Sequence, residues 1–200
     1  METSKTPKPR EDQRVRLTKT LLGNAFLELL AQKPVQNVTV KELCERAGVN
    51  RGTFYLHYHD VYHLMEEMEA GLVADLDRML SEMEVITPSA TEEATSTFIH
   101  SLFAFFEKNR ELCAILLGEN GDKKFLAVII ERGREKSVAE YRVKYPGASR
   151  QKAELFYHFI AWGFIGLLQQ SLQGQPSFTF KTAAAAAGQI IQQASRYFET

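Results

Sequence analysis

The stretch from Asn37 to Tyr58 leaves this chain few choices. Thr39 offers a side-chain oxygen to the free amides of a first helical turn, and Glu42 stands three residues on, the spacing of a capping box. Val40, Leu43, Cys44 and Ala47 then form one apolar stripe at helical spacing. Gly48 supplies the positive φ that ends such a helix, and Val49 can plug the angle that follows. Asn50 caps a second helix, predicted to run through Thr53 and Tyr55 to about Tyr58. Helix, glycine turn, helix in so short a span is the plan of the helix-turn-helix, whose second helix enters the major groove of DNA.

Two short helices cannot bury enough surface alone. A long helix is predicted before them, from about residue 11 to 32, with Val15, Leu22, Ala25, Phe26, Leu29 and Leu30 as its stripe and Pro34 to stop it. Residues 11–59 thus make a three-helix head. Ahead of it, residues 1–10 carry Lys5, Lys8 and Arg10 in a polar, proline-containing arm that could follow a phosphate backbone or stay solvated. Asp60 caps a connecting helix over 60–85, with Leu64, Met68, Leu72, Leu76 and Met79 on one face. The proline-containing break at residues 86–91 opens a C-terminal domain over 86–200, with helices expected at 91–108, 109–118, 122–144, 149–173 and 179–198. No segment shows convincing period-two alternation. The expected fold is all-α, a helix-turn-helix head followed by a helical ligand-binding and dimerisation domain.

The apolar fraction is 44%, enough for a core, and no uncharged apolar run approaches the roughly eighteen residues of a membrane span. Without a signal-peptide core the expected location is the cytoplasm. Cys44 and Cys113 are too few for a disulfide framework or a cysteine zinc site, and both lie on apolar helical faces. Net charge is −1, but residues 1–59 hold ten Lys and Arg against six Asp and Glu, while residues 60–200 hold fourteen against nineteen. A basic head on an acidic body suits a protein that offers one end to phosphates.

The last two helices, about 149–198, are apolar on more than one side. Leu155, Phe156, Phe159, Ile160, Trp162, Phe164, Leu167 and Leu168 wrap around the first, and Ala183 to Ala187, Ile190, Ile191, Ala194, Tyr197 and Phe198 stripe the second. Such helices are buried on several sides, which points to a two-fold homodimer, with a purely intramolecular core as the other reading.

Residues 39–64, with Ala25 and Phe26 before them, resemble the DNA-binding head of the TetR family of bacterial transcriptional regulators. Residues 116–125 and 159–168 look like a C-terminal domain common among Firmicute members of that family. The resemblance implies a DNA operator as partner, homodimerisation, and an effector, small molecule or protein, bound by the C-terminal domain. It places Lys41, Arg51 and Thr53 at base edges, where Arg can fork onto guanine and a Thr hydroxyl and methyl can read several bases. It places Thr39, Tyr55 and His57 at phosphates. Asn50 and Gly52 complete the set at the start of the second helix, where bare backbone amides can approach an anion. Phe54 and Tyr58 look like core members. The chain departs from the family where Lys-x-Lys is frequent: it has His59-Asp-Val61, with one titratable ring for two cations.

His57, His59 and His63 beside Glu66 and Glu67 read better as solvated or phosphate-facing groups than as metal ligands, and no cofactor is expected. Among the C-terminal aromatics and their polar neighbours, His100, Phe103, Phe125, Tyr157, His158 and Trp162 are candidates for an effector site, with core packing as the plainer role. Catalytic signatures are missing: no glycine-rich phosphate loop, no Gly-x-Ser-x-Gly, no His-Glu-x-x-His. Nothing in the sequence points to an enzyme, and the resemblance implies a regulator, read as a homodimeric repressor released from a palindromic operator by its effector. An adaptor that binds a partner protein, or a helical enzyme or carrier with a degenerate head, would be the alternatives.

His59 generates a test. Each phosphate that a cation neutralises steepens the salt dependence of binding by about one unit. Operator binding, measured by fluorescence anisotropy, is expected to weaken from pH 6 to pH 8 if His59 meets a phosphate as a cation. Equal or tighter binding at pH 8 would mean that His59 contributes no cation.

Overall fold

A computed structural model describes residues 13–82, 92–118, 123–174 and 176–198. The basic arm at 1–10, the break at 86–91 and residues 119–122 of the break expected at 118–122 lie outside the described residues. Among those described there are helices and turns but no strands. The chain divides into two compact units, residues up to Met68 and residues from Glu69 onward.

The first unit holds α1 (Gln13–Leu30), a short 3-10 turn (Val35–Asn37), α2 (Val40–Ala47), α3 (Arg51–Tyr55) and the first turns of α4 (Val61–Glu82). Thr39 accepts from the Glu42 amide at 3.2 Å and starts α2. The reciprocal half of the expected capping box is not formed, because the Glu42 carboxylate turns to Lys33 Nζ, 2.6 Å away. Gly48 ends α2 at φ +65°, and the Val49 amide donates back to the Cys44 carbonyl at 3.0 Å. A side chain at that φ costs roughly 1–2 kcal/mol, so glycine is the residue that lets the chain turn there.

Leu22, Phe26 and Leu29 of α1, Leu43 and Cys44 of α2, Phe54 of α3, Tyr58, and Val61 and Leu64 of α4 are buried in one cluster. Ion pairs Arg46–Glu28 (3.1 Å) and Lys19–Glu67 (2.8 Å) decorate its surface. Exposed pairs of this kind contribute about 0–1 kcal/mol each, against about 1.5–3 kcal/mol for burying one large apolar side chain. The apolar cluster holds the head.

The second unit contains the rest of α4 with α5 (Glu92–Lys108), α6 (Arg110–Leu116), α7 (Lys123–Lys144), α8 (Arg150–Leu172) and α9 (Phe180–Ala194), which tightens into a 3-10 turn over Ser195–Phe198. Helix α5 packs along α9, α7 along α8, and α6 against α8. Ala183, Ala184 and Ala187 are buried, so α5 and α9 approach closely; Gly188 lies against Ser96. Thr179 and Thr182 close a complete capping box that starts α9. Gln169 Nε2 donates to the Leu117 carbonyl at 2.7 Å and ties α8 to the end of α6.

On α8, Phe156, Tyr157, Ile165 and Leu168 are buried, while Leu155, Phe159 and Trp162 are exposed. The Tyr157 hydroxyl donates to the Ile130 carbonyl on α7. An added Cβ on Gly133 would come within 2.9 Å of that hydroxyl, so the bond depends on glycine there. Among the described residues no helix is long and apolar enough to cross a membrane.

Both cysteines are free and buried. Burial pushes the Cys113 thiol up to about 12 and raises Cys44 as well, against a lowering by the Arg51 charge. The thiolate is the reactive form, and raised values keep it scarce at neutral pH. Iodoacetamide at pH 8 is therefore expected to leave Cys113 unlabelled in the folded protein and to label both thiols after denaturation. Intact mass measures the outcome, and rapid native labelling of Cys113 would contradict its burial.

Candidate nucleic-acid interface

Helix α3 has only five residues, too few to be stable in water unless something outside it holds its conformation. Two contacts do so. The Asn50 side chain accepts from the Gly52 amide at 2.7 Å and satisfies the first turn. At the rear, Phe54 is fully buried, 5.5 Å centroid to centroid from the buried ring of Tyr58. One side of the helix is thereby sunk into the head. Arg51, Gly52 and Tyr55 are exposed on the other, with Thr53 half-buried between them.

The helix ends at Tyr55, three residues before the expected Tyr58. His57 and Tyr58 both donate to the Phe54 carbonyl, at 2.9 Å each, so the backbone tightens into a turn. That turn sends Tyr58 into the core and leaves Leu56, between Tyr55 and His57, 80% exposed. Sequence reasoning passed over Leu56, because its exposure follows from the turn and not from α-helical spacing.

Thr39 and Lys41 are exposed on and before α2. The Thr39 oxygen already accepts from Glu42, and its hydroxyl hydrogen remains able to donate outward. Lys41 Nζ stands 3.9 Å from Glu45, a loose pair between exposed groups. Arg51 makes no ion pair among the described residues. Thr39, Lys41, Arg51 and Tyr55 are therefore open to solvent on one surface of the head.

His57 is half-buried, its ring edge-on to Tyr58. His59 is exposed and its ring stacks on that of His63, 5.0 Å between centroids. The His59 amide donates to His63 Nδ1 at 3.3 Å, which requires that nitrogen to be unprotonated. The His63 amide in turn donates to Asp60 Oδ1 at 2.8 Å, the cap of α4. His63 and Asp60 thus serve the start of α4. No group of three or more metal-ligating side chains occurs among the described residues.

The six effector candidates are not gathered in one place. His100 lines a cleft of about 390 Å3, together with Glu140, Tyr141, Lys144, Tyr145 and Phe156. Tyr157 lines a separate apolar cavity of about 160 Å3, walled by Leu76, Phe98, Phe106, Ile160 and Phe164 among others. Phe103 is buried against Phe164, 4.6 Å between centroids, and Phe125 is buried too. His158 and Trp162 are exposed. Sequence reasoning missed Glu140, Tyr141 and Tyr145; an aromatic pair at i,i+4 next to an acid was the available signal.

Comparison with known proteins matches both units. The family described as bacterial regulatory proteins, tetR family, matches residues 24–68, and a transcriptional regulator C-terminal region matches residues 93–193. The uncharacterised HTH-type transcriptional regulator YxbF of Bacillus subtilis is 25% identical over 54% of the chain. An HTH-type regulator of Haemophilus influenzae is 28% identical, also over 54%. The matched parts take in 28% and 52% of those two relatives, so the chain spans about half their length or less. In fold, the chain is similar to NalD, the secondary repressor of the MexAB-OprM multidrug efflux pump in Pseudomonas aeruginosa. The TM-score is 0.67 at 20% identity, over 92% of this chain and 98% of that one.

The two sides of α3 are expected to respond oppositely to truncation. Arg51→Ala, at an exposed position without an ion pair among the described residues, should change stability by no more than about 0.5 kcal/mol. Phe54→Ala, which empties the middle of the head core, should cost about 3–5 kcal/mol. Urea unfolding followed by circular dichroism measures both, and a large destabilisation by Arg51→Ala would place that side chain in the fold.

Proposed function

Because the chain belongs to the TetR family of bacterial DNA-binding transcriptional regulators, we propose that it is a homodimeric repressor released from a near-palindromic operator by an effector. The observation that carries the reading is the exposed edge of α3. Arg51 and Thr53 stand beside bare Gly52 at a capped helix start, while Phe54 and Tyr58 fix the helix from behind. In this reading Arg51, Thr53 and Lys41 touch bases, and Thr39, Tyr55, His57 and His59 touch backbone. Two heads would then occupy successive major grooves.

The dimer rests on α8. Leu155, Phe159 and Trp162 follow one another at i, i+4 and i+7, and all are more than half exposed. Gly163 and Gly166 are exposed as well, with open space where a Cβ would stand, so a second helix could come close. An isologous pairing of this face across a two-fold axis would cover it. The direction of control proposed here is that of NalD, a repressor of similar fold. Effector binding in the C-terminal unit would favour a head spacing that no longer fits the operator, a coupling limited by the effector's differential affinity for the two states.

Selection of genomic fragments with the purified protein, followed by footprinting, tests the reading and is expected to yield an inverted repeat. Arg51→Ala should then cost about 1–3 kcal/mol on that operator and relax one base position. Equal weakening on random DNA would reduce Arg51 to a phosphate contact. Phe159→Glu should give a monomer by analytical ultracentrifugation and abolish cooperative operator binding; a variant that stays dimeric would move the interface elsewhere.

A further inference from the structure

The apolar cavity of the C-terminal unit gives the effector a chemical class, an assignment that rests on the proposed regulatory reading. Its volume is about 160 Å3, and α4, α5, α7, α8 and α9 all contribute to its lining. Leu76, Ile99, Phe106, Ile130 and Ile165 in that lining are buried, so the cavity reaches into the interior of the unit. The Tyr157 hydroxyl, donating to the Ile130 carbonyl, ties α8 to α7 where both line the cavity. An apolar cavity of about 150 Å3 stays dry when empty and admits one benzene molecule. The space here is that of a single ring with a small substituent.

The lining also decides the charge of the occupant. Among the described residues Arg132 is its one charged side chain, and that guanidinium lies 3.3 Å from the Asp77 carboxylate, with the side chain about half exposed. An anion would have to draw Arg132 away from both Asp77 and water. No carboxylate lines the cavity among the described residues, so a cation would meet no partner there. The remaining polar side chains are hydroxyls. Burial raises Tyr141 above the ordinary phenol range and pushes Tyr157 up to about 12, so both rings stay neutral near pH 7. Thr95, Ser137 and Tyr141 bring hydroxyls that can donate or accept. Such groups can serve an alcohol, a phenol or a carbonyl, but they do not offset the cost of taking an ion out of water.

We propose that this cavity binds an uncharged molecule about the size of one ring, carrying at most a hydroxyl or carbonyl for the hydroxyls of Thr95, Ser137 and Tyr141. Its affinity comes from apolar burial and from the dispersion contacts that an empty lining forgoes, not from a charge pair. The polar cleft beside Glu140 and Lys144 takes no part.

The test uses the full chain without DNA and probes that share a ring and differ in charge: benzyl alcohol, benzylammonium and benzoate, titrated by calorimetry. Benzyl alcohol is expected to bind, and each ion at least tenfold more weakly for want of a partner in the lining. Biphenyl-4-ylmethanol, with a second ring, should also bind at least tenfold more weakly. Two substitutions at Ile160 should act in opposite directions. Ile160→Trp fills the cavity and should abolish binding of benzyl alcohol, while Ile160→Ala enlarges it and should tighten the two-ring alcohol at least tenfold. Glu140→Gln and Lys144→Gln, in the neighbouring cleft, should leave benzyl alcohol unchanged. An ion that binds as tightly as the alcohol, or loss of the alcohol on either cleft substitution with unchanged circular dichroism, would overturn the proposal. So would tighter binding of the two-ring alcohol to the unaltered protein, or no response to either substitution at Ile160. Anisotropy on the operator recovered by selection separates the site from its regulatory role. Binding of benzyl alcohol without operator release would support the site and overturn its part in release. Operator binding with no affinity for benzyl alcohol would overturn the site alone.

Discussion

The burial of Phe54 is the contact on which the head depends. A five-residue helix has almost no stability of its own, since nucleation fixes several residues for a single hydrogen bond. Sinking one ring among Phe26, Leu43 and Tyr58 converts α3 from a fluctuating turn into a fixed edge. Asn50 and Gly48 then set where that edge begins, the first by capping it and the second by allowing the turn before it. Arg51 and Thr53 need no contacts of their own to be positioned, because the backbone beneath them is held from behind. This division leaves the outward side chains free to change without disturbing the fold.

The C-terminal unit solves a different problem. Its helices carry more apolar surface than one small core can cover, and the surplus appears in two forms. Outward, Leu155, Phe159 and Trp162 of α8 remain in solvent. Inward, side chains around Phe98, Phe106, Ile160 and Phe164 leave a cavity between them. Close-packed interiors rarely keep such voids without a use, since each forfeits dispersion contacts along its lining. The proposed dimer and effector would make use of these two features.

Charge reinforces the separation. Ion pairs within the head engage Lys19, Lys33 and Arg46, while Arg51 at the edge of α3 has none among the described residues. In the C-terminal unit Arg134 is ringed by Glu131, Glu135 and Glu154, and Glu154 also takes Arg150. Glu140 has no cation within ion-pair distance among the described residues, as is true of the exposed Glu107 and Glu111, but it is half-buried.

The sequence by itself determined the helices and their punctuation, because those signals are local. The spacing of Leu22, Phe26 and Leu29, the caps at Thr39, Asn50 and Asp60, and the glycine at 48 act within one or two turns of the chain, and the helix expected at 149–173 is found at Arg150–Leu172. Tertiary structure decided what local signals cannot carry. It ended α3 at Tyr55 so that Tyr58 could reach the core, drew Glu42 to Lys33 and away from its capping box, and left one side of the evenly apolar α8 uncovered. It also placed His100 and Tyr157 on different voids and brought Glu140, Tyr145 and Phe156 together. Burial and cavity shape are fixed by residues distant in sequence, so a stripe tells that a face is apolar but not which neighbour, if any, will cover it.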